Sequence, residues 1–138
     1  MTRHNPSRRG DITIGKTHMK TTSDTDFSQA IERSLKIRAI YNQLELLHHG
    51  SAWTNGEDMI GLVSDVGELG RMVMAADGRW LYQGDLNTDL PDKLAECLWW
   101  IFVLSDRLGI NLTSAFSAKM AELEASLGTS LERTGGQS

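Results

Sequence analysis

The sequence has one cysteine, Cys97, and only two prolines in 138 residues. A single cysteine excludes an internal disulfide and a cysteine-based metal cluster, and it is typical of a reducing compartment. We therefore expect a cytoplasmic protein. Only Pro91 lies beyond the first 24 residues, so the rest of the chain offers long segments in which helices are not interrupted by proline.

Long apolar runs and an excess of positive charge are also missing. The longest apolar run, CLWWIFVL at 97–104, is much shorter than the roughly 18 to 20 residues of a membrane span. The N-terminus has no signal-peptide core. The net charge is −4 and the pI is about 5.5, so a large positive face is not expected. The composition therefore argues against nucleic acid or a membrane as a partner.

The first 24 residues are polar and lack apolar periodicity, which predicts a disordered N-terminal tail. Within this tail, GDITIGKT at 10–17 matches the pattern of a phosphate-binding loop. Such a loop follows a buried strand and opens a helix, and the flanking sequence predicts neither. We do not interpret this match as a nucleotide site. Residues 25–128 are predicted to form a single helical domain, and 129–138 a frayed C-terminal tail.

From residue 26 onward, apolar side chains recur at steps of three and four residues, as they do in amphipathic helices. Glycines and possible N-cap residues mark where such segments end and begin. The sequence predicts four helices, at about 26–48, 55–76, 91–108 and 112–127. No stretch alternates as a strand would, so we predict an all-α fold resembling a four-helix bundle.

The second predicted helix has two neighbouring stripes. One is apolar and is predicted to face the core: it contains Met59, Leu62, Val66, Leu69 and Val73. The other mixes small residues with acids: it contains Gly61, Asp65, Glu68, Met72 and Ala76. Asp65 and Glu68 lie one turn apart, so both carboxylates can point to the same place.

The third predicted helix is apolar on nearly every side, which is typical of a buried helix, and it contains Glu96. Buried carboxylates require compensation. One possibility is that Asp65, Glu68 and Glu96 share a divalent cation, Mg²⁺ or Mn²⁺, which prefers oxygen ligands. The other is that Lys93, one turn before Glu96, forms a metal-free salt bridge with Glu96 or Glu68. Spacing alone leaves both possibilities open.

Three stretches carry a resemblance to a known family: LVSDVGELGRMVM at 62–74, KLAECLWWIFVLSDRLGINL at 93–112 and AFSAKMAELE at 115–124. In their order they resemble the MazG-like nucleotide pyrophosphohydrolases of the all-α NTP pyrophosphatase superfamily. The similarity covers roughly residues 53–124. It implies hydrolysis of a nucleoside triphosphate, NTP or dNTP, to the monophosphate and pyrophosphate, in sanitising or controlling the nucleotide pool.

The resemblance also implies site residues. Asp65, Glu68 and Glu96 fall on metal-binding and catalytic positions for Mg²⁺, with Mn²⁺ as the alternative ion. Lys119, Lys93 and Trp53 are the expected contacts with the triphosphate substrate. Assembly as a homodimer or homotetramer is expected as well.

The chain departs from the family pattern at several positions. Lys93 replaces a glutamate of the metal site, Ser64 replaces another acid, and Leu123 replaces an asparagine. An ammonium group cannot donate a lone pair to a metal. The alternative function is therefore a catalytically impaired MazG-like protein that binds a nucleotide or a protein partner without hydrolysis.

Overall fold

The computed structural model describes residues 26–136, and every regular element in this range is an α-helix. The predicted all-α class is confirmed. The predicted disordered tail at 1–24 and the phosphate-loop pattern within it lie outside the described residues. Within the described residues, four helices follow one another: α1 Phe27–His49, α2 Asn55–Ala76, α3 Leu86–Arg107 and α4 Leu112–Gly135.

The first two helices begin at capping boxes. The Asp26 side chain accepts a hydrogen bond from the Gln29 backbone, and the Gln29 side chain accepts one in return. Thr54 and Glu57 make the same reciprocal pair at the start of α2. Each box satisfies amide groups that have no partner within the helix, so it fixes where the helix starts. The observed bounds of α1 and α2 match the prediction to within one residue.

The third helix begins five residues earlier than predicted. Its N-cap is Asp85, whose carboxylate accepts hydrogen bonds from the Asn87 backbone and the Thr88 hydroxyl. Pro91 was expected at the first helical position but lies in the second turn. A proline so close to the helix start removes one backbone hydrogen bond, and the cap at Asp85 together with the packing of the later turns keeps the segment helical.

The fourth helix extends beyond Gly128, where the sequence predicted its end. Gly128 does not adopt the left-handed conformation of a helix-terminating glycine, unlike Gly50, whose φ is +74°. Glycine inside a helix costs only about 1 kcal/mol relative to alanine. The hydroxyls of Thr129 and Ser130 bond to carbonyls four residues earlier, as they do in a continuing helix. Residues 129–135, predicted as a frayed tail, are therefore helical.

α2 and α3 form an antiparallel pair, and α1 packs against α3. The pairing direction follows from contacts that join Glu68 to Lys93 near one end and Asp58 to Arg107 near the other. α1 is joined to α3 by an edge-to-face contact between Phe27 and Phe102. The Phe27 ring also stacks on Phe116 of α4. No helix in the described range is long and apolar enough to cross a lipid bilayer.

The predicted core stripe of α2 is only partly confirmed, because Leu62 and Leu69 are half-buried but the other three residues are exposed. Met59, Val66 and Val73 are nearly half exposed, whereas Met72, on the stripe that carries the acids, is buried. The small Gly61 on that stripe lies directly against the Trp100 ring, which lets α2 and α3 approach closely on this side. The described residues bury only a few hydrophobic side chains: Met72, Cys97, Trp100, Phe102 and Val103.

One carboxylate is completely buried where three helices meet. Asp58 of α2 is 0% exposed and lies between Arg38 of α1 and Arg107 of α3. Arg38 Nη2 is 3.1 Å from Asp58 Oδ1, and Arg107 makes a short contact with Asp58 Oδ2. The two guanidinium groups compensate a desolvation that an isolated carboxylate would not tolerate.

We expect Asp58→Asn to lower the free energy of unfolding by about 3 to 5 kcal/mol, because it leaves two arginines facing a neutral amide at a buried site. Urea denaturation followed by circular dichroism measures the change. Asp92→Asn is the matched control, since it removes an exposed carboxylate of α3, and it should shift stability by less than about 0.5 kcal/mol. Equal effects of the two variants would contradict a structural role for Asp58.

Candidate functional site

Three carboxylates from α2 and α3 surround the ammonium group of Lys93. Lys93 Nζ lies 3.1 Å from Asp65 Oδ1, 2.9 Å from Glu68 Oε2 and 2.6 Å from Glu96 Oε2. The three acids predicted from sequence to converge therefore do so. The predicted alternative of a salt bridge with Lys93 is also observed, and it includes Asp65 as well as the two glutamates.

The acids are more accessible than the sequence suggested. The Asp65 side chain is 20% exposed, but those of Glu68 and Glu96 are 46% and 53% exposed. The expectation that all three are buried is wrong, because α3 exposes one side to solvent at Glu96. The Lys93 side chain is 13% exposed, so the lysine is more buried than any of the three carboxylates around it.

Hydrogen bonds to Glu96 and then Glu68 raise the pKa of the Lys93 ammonium above its ordinary value, with a smaller contribution from Asp65, although partial burial opposes the change. The group therefore stays positively charged at neutral pH. Three carboxylates around one ammonium leave two negative charges without a partner inside the cluster.

Trp100 fixes the remaining oxygen of Asp65. Its indole Nε1 donates a 2.7 Å hydrogen bond to Asp65 Oδ2, while Asp65 Oδ1 faces Lys93. The Trp100 ring is held against Gly61, where a methyl group would lie 2.5 to 3.0 Å from ring carbons. Glycine at this position thus allows the close approach that places the indole on Asp65.

A cavity of about 630 Å³ adjoins the cluster. Asp65 and Glu96 line one part of it, and aromatic rings line much of the rest: these are Tyr41, Trp53, Trp99 and Trp100. The rings of Trp53 and Trp100 are nearly parallel, at 8°, with centroids 6.1 Å apart. The cavity volume lies within the range of small-molecule sites, and its walls are of the apolar kind that such sites have.

The backbone of Trp53 is held on both sides by charged groups. Its amide donates to Glu45 Oε2 at 2.8 Å, and its carbonyl accepts from Arg107 Nη2 at 2.6 Å. Glu45 is itself paired with Arg38, 2.9 Å away. The network around the buried Asp58 therefore also positions an aromatic wall of the cavity.

The sequence did not identify this network. By its position Arg107 is predicted to belong to an ordinary exposed helix end, and no local pattern singles out Arg38, Glu45 or Asp58. Each of the three helices carries several charged residues, and their positions in the sequence do not reveal which of them meet. Lys119, predicted as a substrate contact, lies on α4, pairs with Glu122 at 2.9 Å and is not among the residues lining this cavity.

The arrangement does not suit a divalent metal. Mg²⁺ needs carboxylate oxygens about 2.0 to 2.1 Å away, and the place where the carboxylates converge holds an ammonium group. Cys97 is a free thiol whose pKa burial raises, so it is a poor additional ligand. Within residues 26–136, no group of three or more histidine, cysteine, aspartate or glutamate side chains is disposed to hold a metal ion.

Comparisons of the chain with protein-family models, curated proteins and solved structures found no match.

We expect Gly61→Ala to destabilise the chain by about 1 to 3 kcal/mol, because the added methyl group forces the Trp100 ring away from α2 and strains its bond to Asp65. Thermal unfolding and tryptophan fluorescence measure both effects. Gly67→Ala is the matched control, since no atom lies within 4 Å of its added carbon. That variant should gain up to about 1 kcal/mol from helix propensity. Stabilisation by both substitutions would contradict the close packing at Gly61.

Proposed function

We propose that this chain is a divergent MazG-like protein that binds the base of a nucleotide in its aromatic cavity without hydrolysing the phosphate chain. The observation that carries the proposal is the cavity itself, which joins aromatic walls to the Asp65, Glu96 and Lys93 cluster. The resemblance of residues 53–124 to the MazG-like pattern supports the nucleotide class of ligand. Fold resemblance alone does not determine chemistry, so the choice between binding and hydrolysis is argued from the charges and side chains at the site.

The walls of the cavity suit a flat heteroaromatic group. Stacking of a base on an aromatic side chain contributes about 1 to 3 kcal/mol. Trp53 is 40% exposed, so part of its surface is available for a ligand, while its backbone is held by Glu45 and Arg107. Because the backbone is held and the ring lies parallel to Trp100, the side chain loses little conformational entropy when a ligand stacks on it.

The charges next to the cavity do not suit a free triphosphate. The cluster of three carboxylates and one ammonium group carries a net negative charge, and Lys93 directs its ammonium donors to the three carboxylates. Arg38, which also lines the cavity, is paired with Glu45 and Asp58. In the absence of a metal, affinity should therefore fall from nucleoside to monophosphate to triphosphate.

A second candidate is a Mg²⁺- or Mn²⁺-dependent pyrophosphohydrolase that converts NTP or dNTP to NMP or dNMP and pyrophosphate. The observation in its favour is the convergence of Asp65, Glu68 and Glu96 from two helices on one point. Hydrolysis by this route requires the Lys93 ammonium group to move away from the three carboxylates so that a metal ion can take its place. It ranks second because the carboxylates contact Lys93 in the structure.

Isothermal titration with nucleosides, monophosphates and triphosphates, each with and without Mg²⁺, tests the proposal. We expect nucleosides to bind without Mg²⁺, and Trp53→Ala to weaken this binding about 5- to 150-fold, as loss of one stacking contact implies. Trp80→Ala is the matched control, because Trp80 is an exposed tryptophan outside the cavity and its loss should not change affinity. Pyrophosphate release in Mg²⁺ would instead support the second candidate, and no binding of any nucleoside would contradict the proposal.

We also propose that the chain assembles as a homodimer or homotetramer. Leu94, Leu98 and Ile101 of α3 are 54%, 47% and 42% exposed, at the spacing of one helical stripe. Met59, Val66 and Val73 form a comparable stripe on α2. A second copy of the chain would cover both stripes and supply the core that the described residues lack. The proposed location is the cytoplasm, on the basis of the single free thiol of Cys97.

Light scattering after size exclusion should give the mass of a dimer or tetramer for the full chain. Leu98→Glu should convert it to a monomer of lower melting temperature, because a carboxylate cannot be buried unpaired at the new interface. Leu81→Glu is the matched control, since Leu81 is 93% exposed in the loop between α2 and α3. A monomeric full chain would contradict the proposed assembly.

A further inference from the structure

The ammonium group of Lys93 has as many acceptors as it has protons. A lysine ammonium carries three N–H donors, and Nζ lies within hydrogen-bonding distance of one oxygen each from Asp65, Glu68 and Glu96. Each contact pairs opposite charges, which makes such hydrogen bonds about twice as strong as neutral ones. Lys93 thus satisfies its own bonding capacity and draws the three carboxylates to one point.

The surroundings hold this arrangement in place. Asp65 cannot turn freely, because Trp100 holds its second oxygen and Gly61 admits the Trp100 ring. Lys93 comes from the helix that also carries Glu96, one turn away. A cation attached to the chain is present at a high effective concentration and loses no translational freedom on binding, unlike an ion from solution.

We infer that Lys93 is the permanent cation of this cluster, in the place of a divalent metal, and that removing its ammonium group alone would uncover a divalent-cation site formed by Asp65, Glu68 and Glu96. A metal ion entering the intact cluster would have to displace three charge-assisted hydrogen bonds, or else lie beside a positive charge. With a neutral side chain at position 93, three carboxylates from two helices would face one another without a counter-ion. That is a donor set suited to Mg²⁺ or Mn²⁺. The inference does not depend on nucleotide binding.

Titration of the full chain with Mn²⁺, followed by electron paramagnetic resonance of the free ion, tests this inference. The unmodified chain should bind Mn²⁺ only weakly, whereas Lys93→Gln should bind it at least tenfold more tightly and melt at a higher temperature when Mn²⁺ is added. Lys119→Gln is the matched control: Lys119 also pairs with a glutamate three residues later, but on the exposed face of α4. It should bind Mn²⁺ no better than the unmodified chain.

A second variant separates the cluster from general attraction to an acidic surface. Adding Asp65→Asn to Lys93→Gln removes one proposed ligand and should abolish the gain in Mn²⁺ affinity. If Lys93→Gln does not fold without metal, circular dichroism should show helix returning as Mn²⁺ is added. The inference is overturned if the unmodified chain binds Mn²⁺ as tightly as Lys93→Gln. It is also overturned if neither affinity nor helix content of that variant responds to Mn²⁺, or if the double variant keeps the gain.

Discussion

The fully buried carboxylate of Asp58 is the constraint on which the arrangement of the first three helices depends. It lies on α2 and is neutralised by Arg38 of α1 and Arg107 of α3, so three helices have to meet at one position. The same two arginines continue outward to Glu45 and to the backbone of Trp53. One desolvated charge therefore both joins the helices and positions a wall of the cavity, since its cost is offset only when both partners are in place.

The α2–α3 contact is consequently polar as well as apolar. Asp58 and the Lys93 cluster hold α2 and α3 together at two points along their length, with the Trp100 ring against Gly61 between them. Apolar residues that would cover a core in a single bundle face outward instead, as Val66 and Leu98 do. This distribution makes physical sense if ion pairs specify how α2 and α3 meet and a second copy supplies the missing apolar burial.

The bounds of α1 and α2 were predictable from sequence because they depend on local signals, which are periodicity and caps such as Asp26 and Thr54. The start of α3 and the end of α4 were not, because Pro91 and Gly128 are tolerated inside these helices. That Asp65 and Glu68 point to the same place was also predictable, because they lie one turn apart on α2, whereas the meeting with Glu96 depends on how α2 packs against α3. The sequence did not predict which stripe of α2 is buried, because an apolar stripe does not show which other helix packs against it. The pairing of Asp58 with Arg38 and Arg107 depends on contacts across 20 and 49 residues, which no local pattern encodes.

A chain can resemble a family in sequence without having its metal chemistry. In this chain Asp65 and Glu68 carry the resemblance, and Lys93 departs from it. Asp65 and Glu68 have a structural role, in which they join α2 to α3 through Lys93 and Glu96. In a metal site, the same carboxylates are held together by an ion that the solution supplies and can withdraw. A lysine at position 93 makes the positive charge part of the fold. The contacts of Lys93 with the three carboxylates are then complete without an added ion, and the adjoining cavity combines aromatic walls with a neighbouring cluster of net negative charge.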